Sequence, residues 1–185
     1  MTEKEKMING ELYITDIDEI LLKEMAYAKD LCYEFNNTKP SNLERRYSIL
    51  RTLFGKTGKD FHIESDFWCD YGYRIEIGDN FYANHELVIL DAGGVSFGDR
   101  VMIGPHCGFY TSGHPTDVKS RSKALEYAKP IKVGSDVWIG AGVHVCPGVT
   151  IGNNVVIGAG SVVVRDIPDN SLAVGNPCKV IKTID

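Results

Sequence analysis

From Val133 to Pro168 the chain repeats every six residues: VGSDVW, IGAGVH, VCPGVT, IGNNVV, IGAGSV and VVRDIP stand in register. Each hexad opens on Ile or Val, usually followed by Gly, and has a small or aliphatic residue at its fifth place. Neither a helix nor an ordinary strand has a period of six. A parallel β-helix of triangular section does. Each hexad supplies one flat side and a turn, the aliphatic residue points to the axis, and three hexads close a coil of about eighteen residues. Gly and Asn at the corners are expected to take the φ > 0 that the turn requires. A looser set lies upstream: IGDNFY, ANHELV and ILDAGG, a two-residue slip at Val95-Ser96, then FGDRVM and IGPHCG. The slip predicts a corner insertion.

Before the repeat the period is helical. Ile20, Leu21, Met25, Ala28, Leu31, Cys32 and Phe35 recur at three- and four-residue intervals, which predicts a helix from Asp18 to about Asn37. After Pro40, Ser41 and Glu44 have capping-box spacing for a second helix ending near Gly55. The chain thus divides into a helical segment, 1–58, and a β-helix, 59–185, whose last residues, 169–185, form a tail over the final coil.

With 185 residues and 43% hydrophobic content, one compact body with a real core is expected. The formal charge of −5 offers no electrostatic footprint for nucleic acid or an acidic membrane surface. The polar start MTEKEKMING has no apolar h-region, and no apolar run approaches the roughly 18 residues of a membrane span. Five dispersed cysteines without a C-x-x-C pair read as reduced structural thiols. Together these predict a cytoplasmic protein.

The beat stops for twenty residues at TSGHPTDVKSRSKALEYAKP, Thr111 to Pro130. A flat β-helix side offers no pocket, and a long insertion between hexads is how a solenoid places a loop on one face. That loop holds one of five histidines, His114; the others are His62, His85, His106 and His144.

The hexads resemble the hexapeptide-repeat proteins with a left-handed parallel β-helix, and the left hand comes from that resemblance. Over nearly the whole chain MINGELY, YEFN, CDYGY, NFYANHE, the SGHP loop, VWIGAGV and GNPCKVI are similar to the maltose, galactoside and nodulation-type sugar O-acetyltransferases. The resemblance implies an acetyl-CoA-dependent enzyme that is a homotrimer, with each active site between two subunits and the loop as a wall of the shared cleft. It implies His114 as the base that takes the acceptor hydroxyl's proton in direct transfer, a role an imidazole with an ordinary pKa near ~6.5 suits. It also implies Asn84 as a neutral donor to the oxyanion, with the Ala141 backbone N–H as the second donor.

For the acceptor sugar the resemblance implies Asp16, Asp70, Tyr82, Asn84 and Glu126, because a carboxylate can accept two vicinal hydroxyls. Asp18 competes with Asp16, and either could cap the first helix. For coenzyme A it implies Gly104, Trp138, Ala141 and Ala159 along the pantetheine arm. Val164, Arg165, Lys179 and Lys182 match positions near the nucleotide end, where Val164 replaces a hydroxyl residue the family can use. The galactoside branch carries a second acidic residue just after the one matching Asp91; this chain has Ala92. That departure weakens the case for a galactoside, and MINGELY and CDYGY are more similar to the maltose branch, so glucose or maltose is the acceptor the resemblance implies.

Other readings stay open at this point. The acceptor could be a galactoside, serine, an amino sugar or a xenobiotic alcohol, and a β-helix trimer could be a non-catalytic scaffold. His85 is the rival base. No metal is expected, because the histidines lack the H-x-x-x-x-H pair of the γ-class carbonic anhydrases.

Overall fold

A computed structural model describes residues 1–185. A short helix, α1 (Glu3–Asn9), opens the chain and was not foreseen from the sequence; Thr2 and Glu5 close a reciprocal capping box at its start. A 3-10 turn at Thr15–Ile17 leads into α2 (Glu19–Asn37), whose cap is Asp18, accepting from the Ile20 and Leu21 amides. The third helix, α3 (Leu43–Leu53), corrects one expectation. Its cap is Asn42, not Ser41, because Pro40 and Ser41 are spent in a turn closed by the Asn42 N–H on the Lys39 carbonyl. No Ser41–Glu44 box forms.

The coils begin at Phe61, sixteen residues before the hexad pattern becomes legible. β1 (Phe61–Ile63), β2 (Trp68–Cys69) and β3 (Ile75–Glu76) make the first coil, and β4 (Phe81–Ala83), β5 (Val88–Leu90) and β6 (Val95–Phe97) the second. The third runs through β7 (Met102–Ile103) and β8 (Gly108–Tyr110), leaves the stack, and returns as β11 (Ile131–Val133). The excursion is an ordered arm: β9 (Ser112–Gly113) pairs antiparallel with β10 (Tyr127–Ala128), and a one-turn helix, α4 (Val118–Arg121), forms its tip. β12 (Val137–Ile139), β13 (His144–Val145) and β14 (Thr150–Ile151) complete the fourth coil. The last coils hold β15 (Val155–Ile157), β16 (Val162–Val163) and β17 (Ser171–Val174), and the tail folds back antiparallel on β17 as β18 (Lys179–Thr183).

Parallel pairing between successive coils builds three faces. The first is β1-β4-β7-β12-β15-β17-β18, the second β2-β5-β8-β13-β16, and the third β3-β6-β11-β14. Both the first and the fifth residue of each hexad point inward: Val137, Ile139, Val143, Val145, Val149, Ile151, Val155 and Ile157 are all buried in one continuous core. Positive φ falls on the fourth place, at Asp136, Gly142, Gly148, Asn154 and Gly160. The glycine at the second place answers a different need. A Cβ on Gly140 would stand 2.6 Å from the Ala159 nitrogen, so glycine there lets neighbouring coils stack.

The register slip lies at Asp91–Gly94 rather than at Val95-Ser96, since Val95 and Phe97 both face the core. The same corner, between the second and third faces, is widened in the first coil by Asp70–Arg74 and in the third by the arm. Irregularity is thus collected along one edge of the prism.

The helices close the open end of the stack. Phe35 and Phe54 meet Phe67 edge-on at 6.5 and 5.5 Å. Arg46, 2% exposed, threads between the two bodies: its guanidinium stacks on Phe35 at 4.0 Å and donates to the carbonyls of Phe35, Thr38 and Ile63 and to Ser65 Oγ. A buried guanidinium is tolerated only when it finds acceptors, and here both terminal nitrogens do. No helix is long and apolar enough to cross a membrane.

Candidate active site

The residues singled out in the sequence fall on two different edges of the prism. Asn84, Gly104, Ala141 and Ala159 each follow a strand of the first face and stack in successive coils at the corner between the first and second faces. Tyr82 and Trp138 project outward from that first face, 37% and 55% exposed. Asp70 and the arm carrying His114 and Glu126 occupy the opposite corner, between the second and third faces. One side of six residues spans at most ~20 Å. No hydrogen bond joins His114 to Asn84 or Ala141 within the chain.

On the arm's side His114 is held by its own hairpin. The pairing of Gly113 with Tyr127 sets His114 opposite Glu126, and His114 Nδ1 lies 2.9 Å from the Leu125 carbonyl oxygen. A carbonyl can only accept, so Nδ1 carries the proton and Nε2 keeps its lone pair. Glu126 is anchored in turn to the N-terminal segment. Its backbone exchanges both hydrogen bonds with Tyr13 (3.1 and 2.8 Å), and its carboxylate accepts from Thr15 Oγ1 (3.0 Å) and Tyr13 Oη (3.3 Å). Met7, Tyr13, Leu21, Tyr71, Ala92 and Ala128 form a small second core beneath this joint.

Behind Asp70 stands a residue whose role the sequence reading passed over. Asp91 is fully buried; its Oδ1 accepts from the backbone N–H groups of Asp70 (3.1 Å) and Tyr71 (2.9 Å), and its Oδ2 has no partner. Burial pushes the Asp91 carboxyl up, against the pull of the backbone donors. Burial, with the Asp91 charge behind it, pushes Asp70 up to about 6. Asp16 is exposed in the 3-10 turn, while Asp18 spends its oxygens on the amides of Lys4, Ile20 and Leu21. Asp18 is therefore the cap, and Asp16 the free carboxylate.

On the other edge the backbone is prepared differently. At the corner between the third and first faces, the amides of Asp79, Asp99, Ser135 and Asn153 are each capped by a side chain from the next coil. At the corner of Asn84 that ladder is missing, and the amides of Ala141 and Ala159 donate to nothing in the chain. Two exposed donors one coil apart, ~4.8 Å, are thereby left for a ligand. Asn84 Oδ1 accepts from the His85 N–H at 2.8 Å, which leaves the side-chain NH2 free to donate outward.

The remaining histidines are engaged elsewhere. His62 pairs with Glu64 at 3.1 Å and stacks on Tyr82, and His85 stands 4.0 Å from the same carboxylate. His106 pairs with Glu86 at 2.7 Å, and His144 Nδ1 bonds Tyr110 Oη at 3.0 Å. Of the cationic set, Arg165 and its neighbour Val164 follow β16, whereas Lys179 and Lys182 lie on β18. All four are exposed.

Residues 6–58 match the family described as the maltose acetyltransferase hexapeptide capping motif, and residues 130–165 match the bacterial transferase hexapeptide (six repeats). A maltose O-acetyltransferase from Clostridium difficile 630 is 52% identical, with a TM-score of 0.98 over 100% of this chain and 98% of that one. A galactoside acetyltransferase in complex with coenzyme A is 43% identical, with a TM-score of 0.96 over 100% and 92%. A hexapeptide-repeat acetyltransferase from Vibrio cholerae O1 biovar eltor, complexed with acetyl coenzyme A, is 35% identical, with a TM-score of 0.92 over the full length of both. With its capping helices, its hexad coils and its arm all matched in order, the chain belongs to the maltose and galactoside O-acetyltransferase family and is an acetyl-CoA-dependent acetyltransferase.

Proposed function

We propose that the protein transfers the acetyl group of acetyl-CoA to a hydroxyl of a sugar such as glucose or maltose, in a site completed by a second copy of the chain. The observation that carries this reading is the open amide of Ala141 on the edge that bears Asn84, one prism face away from the base. A rotationally symmetric trimer sets one chain's arm against the neighbour's Asn84 edge, and such closed homo-oligomers are the common case.

In that arrangement the acceptor lies against Asp70 and Glu126, with Asp16 beside them and Tyr82 of the neighbour across the cleft. His114 Nε2 takes the hydroxyl proton as the oxygen attacks the thioester carbonyl. The resulting oxyanion receives hydrogen bonds from Asn84 Nδ2 and the Ala141 N–H. Collapse breaks the C–S bond, and the proton on His114 passes to the coenzyme thiolate. The pantetheine arm runs past Gly104 and Ala159 with Trp138 at its flank, and Arg165, Lys179 and Lys182 meet the phosphates.

The test uses thiol release from acetyl-CoA with glucose, maltose, a galactoside and serine. His114→Ala and Asn84→Ala are each expected to lower kcat at least ~100-fold. Unfolding and refolding the two variants together should restore about a quarter of wild-type activity, since that share of interfaces pairs an intact His114 with an intact Asn84. Mixed trimers as inactive as either parent would overturn the shared site. Serine as the sole acceptor would overturn the sugar.

A further inference from the structure

On the third face, where three coils stack, lies a basic pocket that the acetyl-transfer reading does not use. It is a cavity of about 230 Å³ whose lining includes Arg74, Glu76, Gly94, Ser96 and Lys132. The strand register sets Ser96 between Glu76 on one side and Lys132 on the other. Arg74 stands one residue before β3, at the end of the widened corner that begins at Asp70, and its carbonyl accepts from the Val95 N–H at 2.9 Å. Its guanidinium lies against Gly94, where an added Cβ would stand 3.8 Å from Nη2 and 4.0 Å from Nε. Gly94 has a φ of +86°, so the chain keeps a bare α-carbon beneath the cation.

This arginine differs from Arg46. Arg46 donates to four acceptors, whereas Arg74 Nε is buried and donates to nothing. None of the chain's ion pairs includes Arg74, Glu76 or Lys132. A buried guanidinium N–H without an acceptor costs free energy that a ligand can return. Two cations and one carboxylate line the pocket, which leaves it net positive, and Lys56 stands in register with Glu76 on the far side. We infer that this pocket binds a phosphate group, held by Arg74 and Lys132 over Gly94 and Ser96. Phosphate fits the lining because its oxygens take a guanidinium fork in bidentate fashion while others remain for an ammonium and a hydroxyl. The inference uses one chain's own residues and does not depend on which acceptor is acetylated.

A phosphate held there joins the corner of the first coil to β11, the strand on which the arm returns. Binding should therefore raise the melting temperature as well as release or absorb heat. The experiment titrates inorganic phosphate into the full chain by calorimetry at neutral pH and constant ionic strength, in the wild type, Arg74→Gln, Lys132→Gln and Glu76→Gln. Expected is one phosphate per chain with a Kd of about 1 mM or tighter. Arg74→Gln should weaken it about tenfold and Lys132→Gln severalfold, and Glu76→Gln should tighten it severalfold. A damaged pocket does not bind better, so the opposed shifts of Lys132→Gln and Glu76→Gln decide the matter even where Arg74→Gln fails to fold. Glycerol 3-phosphate in a parallel titration separates two sources of the group: tighter binding than inorganic phosphate marks a phosphorylated metabolite, and weaker binding marks the free ion.

Neither heat nor a melting shift at high phosphate would overturn the site. Binding left unchanged by all three substitutions would overturn it too. So would binding that coenzyme A abolishes in the wild type and in Arg74→Gln alike, because the anion would then sit on the cations assigned to the coenzyme.

Discussion

The Nδ1 atom of His114 and the carbonyl oxygen of Leu125 are 2.9 Å apart, across the base of the arm's hairpin. This contact selects the tautomer that leaves Nε2 basic. Nitrogen-15 chemical shifts of neutral His114 should show a protonated Nδ1 and a bare Nε2. The reverse pattern would argue against His114 as the proposed base.

Asp70 should cost the fold stability. Its unfolded-state pKa is near ~3.9 and its folded value about 6, so the folded chain keeps a proton that the unfolded chain releases between those values. Stability contributed by this group is full below about pH 4, declines as pH rises to about 6, and stays low above. Asp70→Asn should therefore be more stable than wild type by about 1–3 kcal/mol at pH 7 and equal to it near pH 4, with activity impaired. Urea denaturation at the two pH values measures this, and an equal difference at both would refute it.

Arg46 fastens the helical segment to the first coil. Arg46→Ala takes the guanidinium donor from the carbonyls of Thr38 and Ile63 and opens a cavity against Phe35. A loss of about 3–5 kcal/mol is expected, read from the midpoint of denaturation. A change under 1 kcal/mol would mean that apolar packing alone holds the cap.

Two glycines separate stacking from chemistry. An added Cβ at Gly104 meets the Ala141 nitrogen at 2.7 Å, whereas one at Gly134 meets Gly152 oxygen at 2.7 Å at the corner between the third and first faces. Both Gly104→Ala and Gly134→Ala should lower the melting temperature. Only Gly104→Ala should also lower kcat, by roughly 10–100-fold, through displacement of the Ala141 donor. Equal kcat in the two variants would argue against that amide as oxyanion donor.

The coil was legible in the sequence because its constraint repeats: each sixth residue must be aliphatic to reach the axis, so Val133 to Pro168 announces its fold locally. The first coil was not, since Phe61–Ile77 carries the inward residues without the Ile-Gly rhythm. The arm could be placed from its break in the beat and His114 found within it by resemblance. What only the tertiary structure decided is how separate coils stack at their corners. Corner position brings Asp70, Asp91 and Glu126 together from distant parts of the chain, strips the capping ladder from Ala141 and Ala159, and parts His114 from Asn84 by a prism face. A period records what every coil must do alike; the site is made of the places where stacked coils differ, and those meet only in three dimensions.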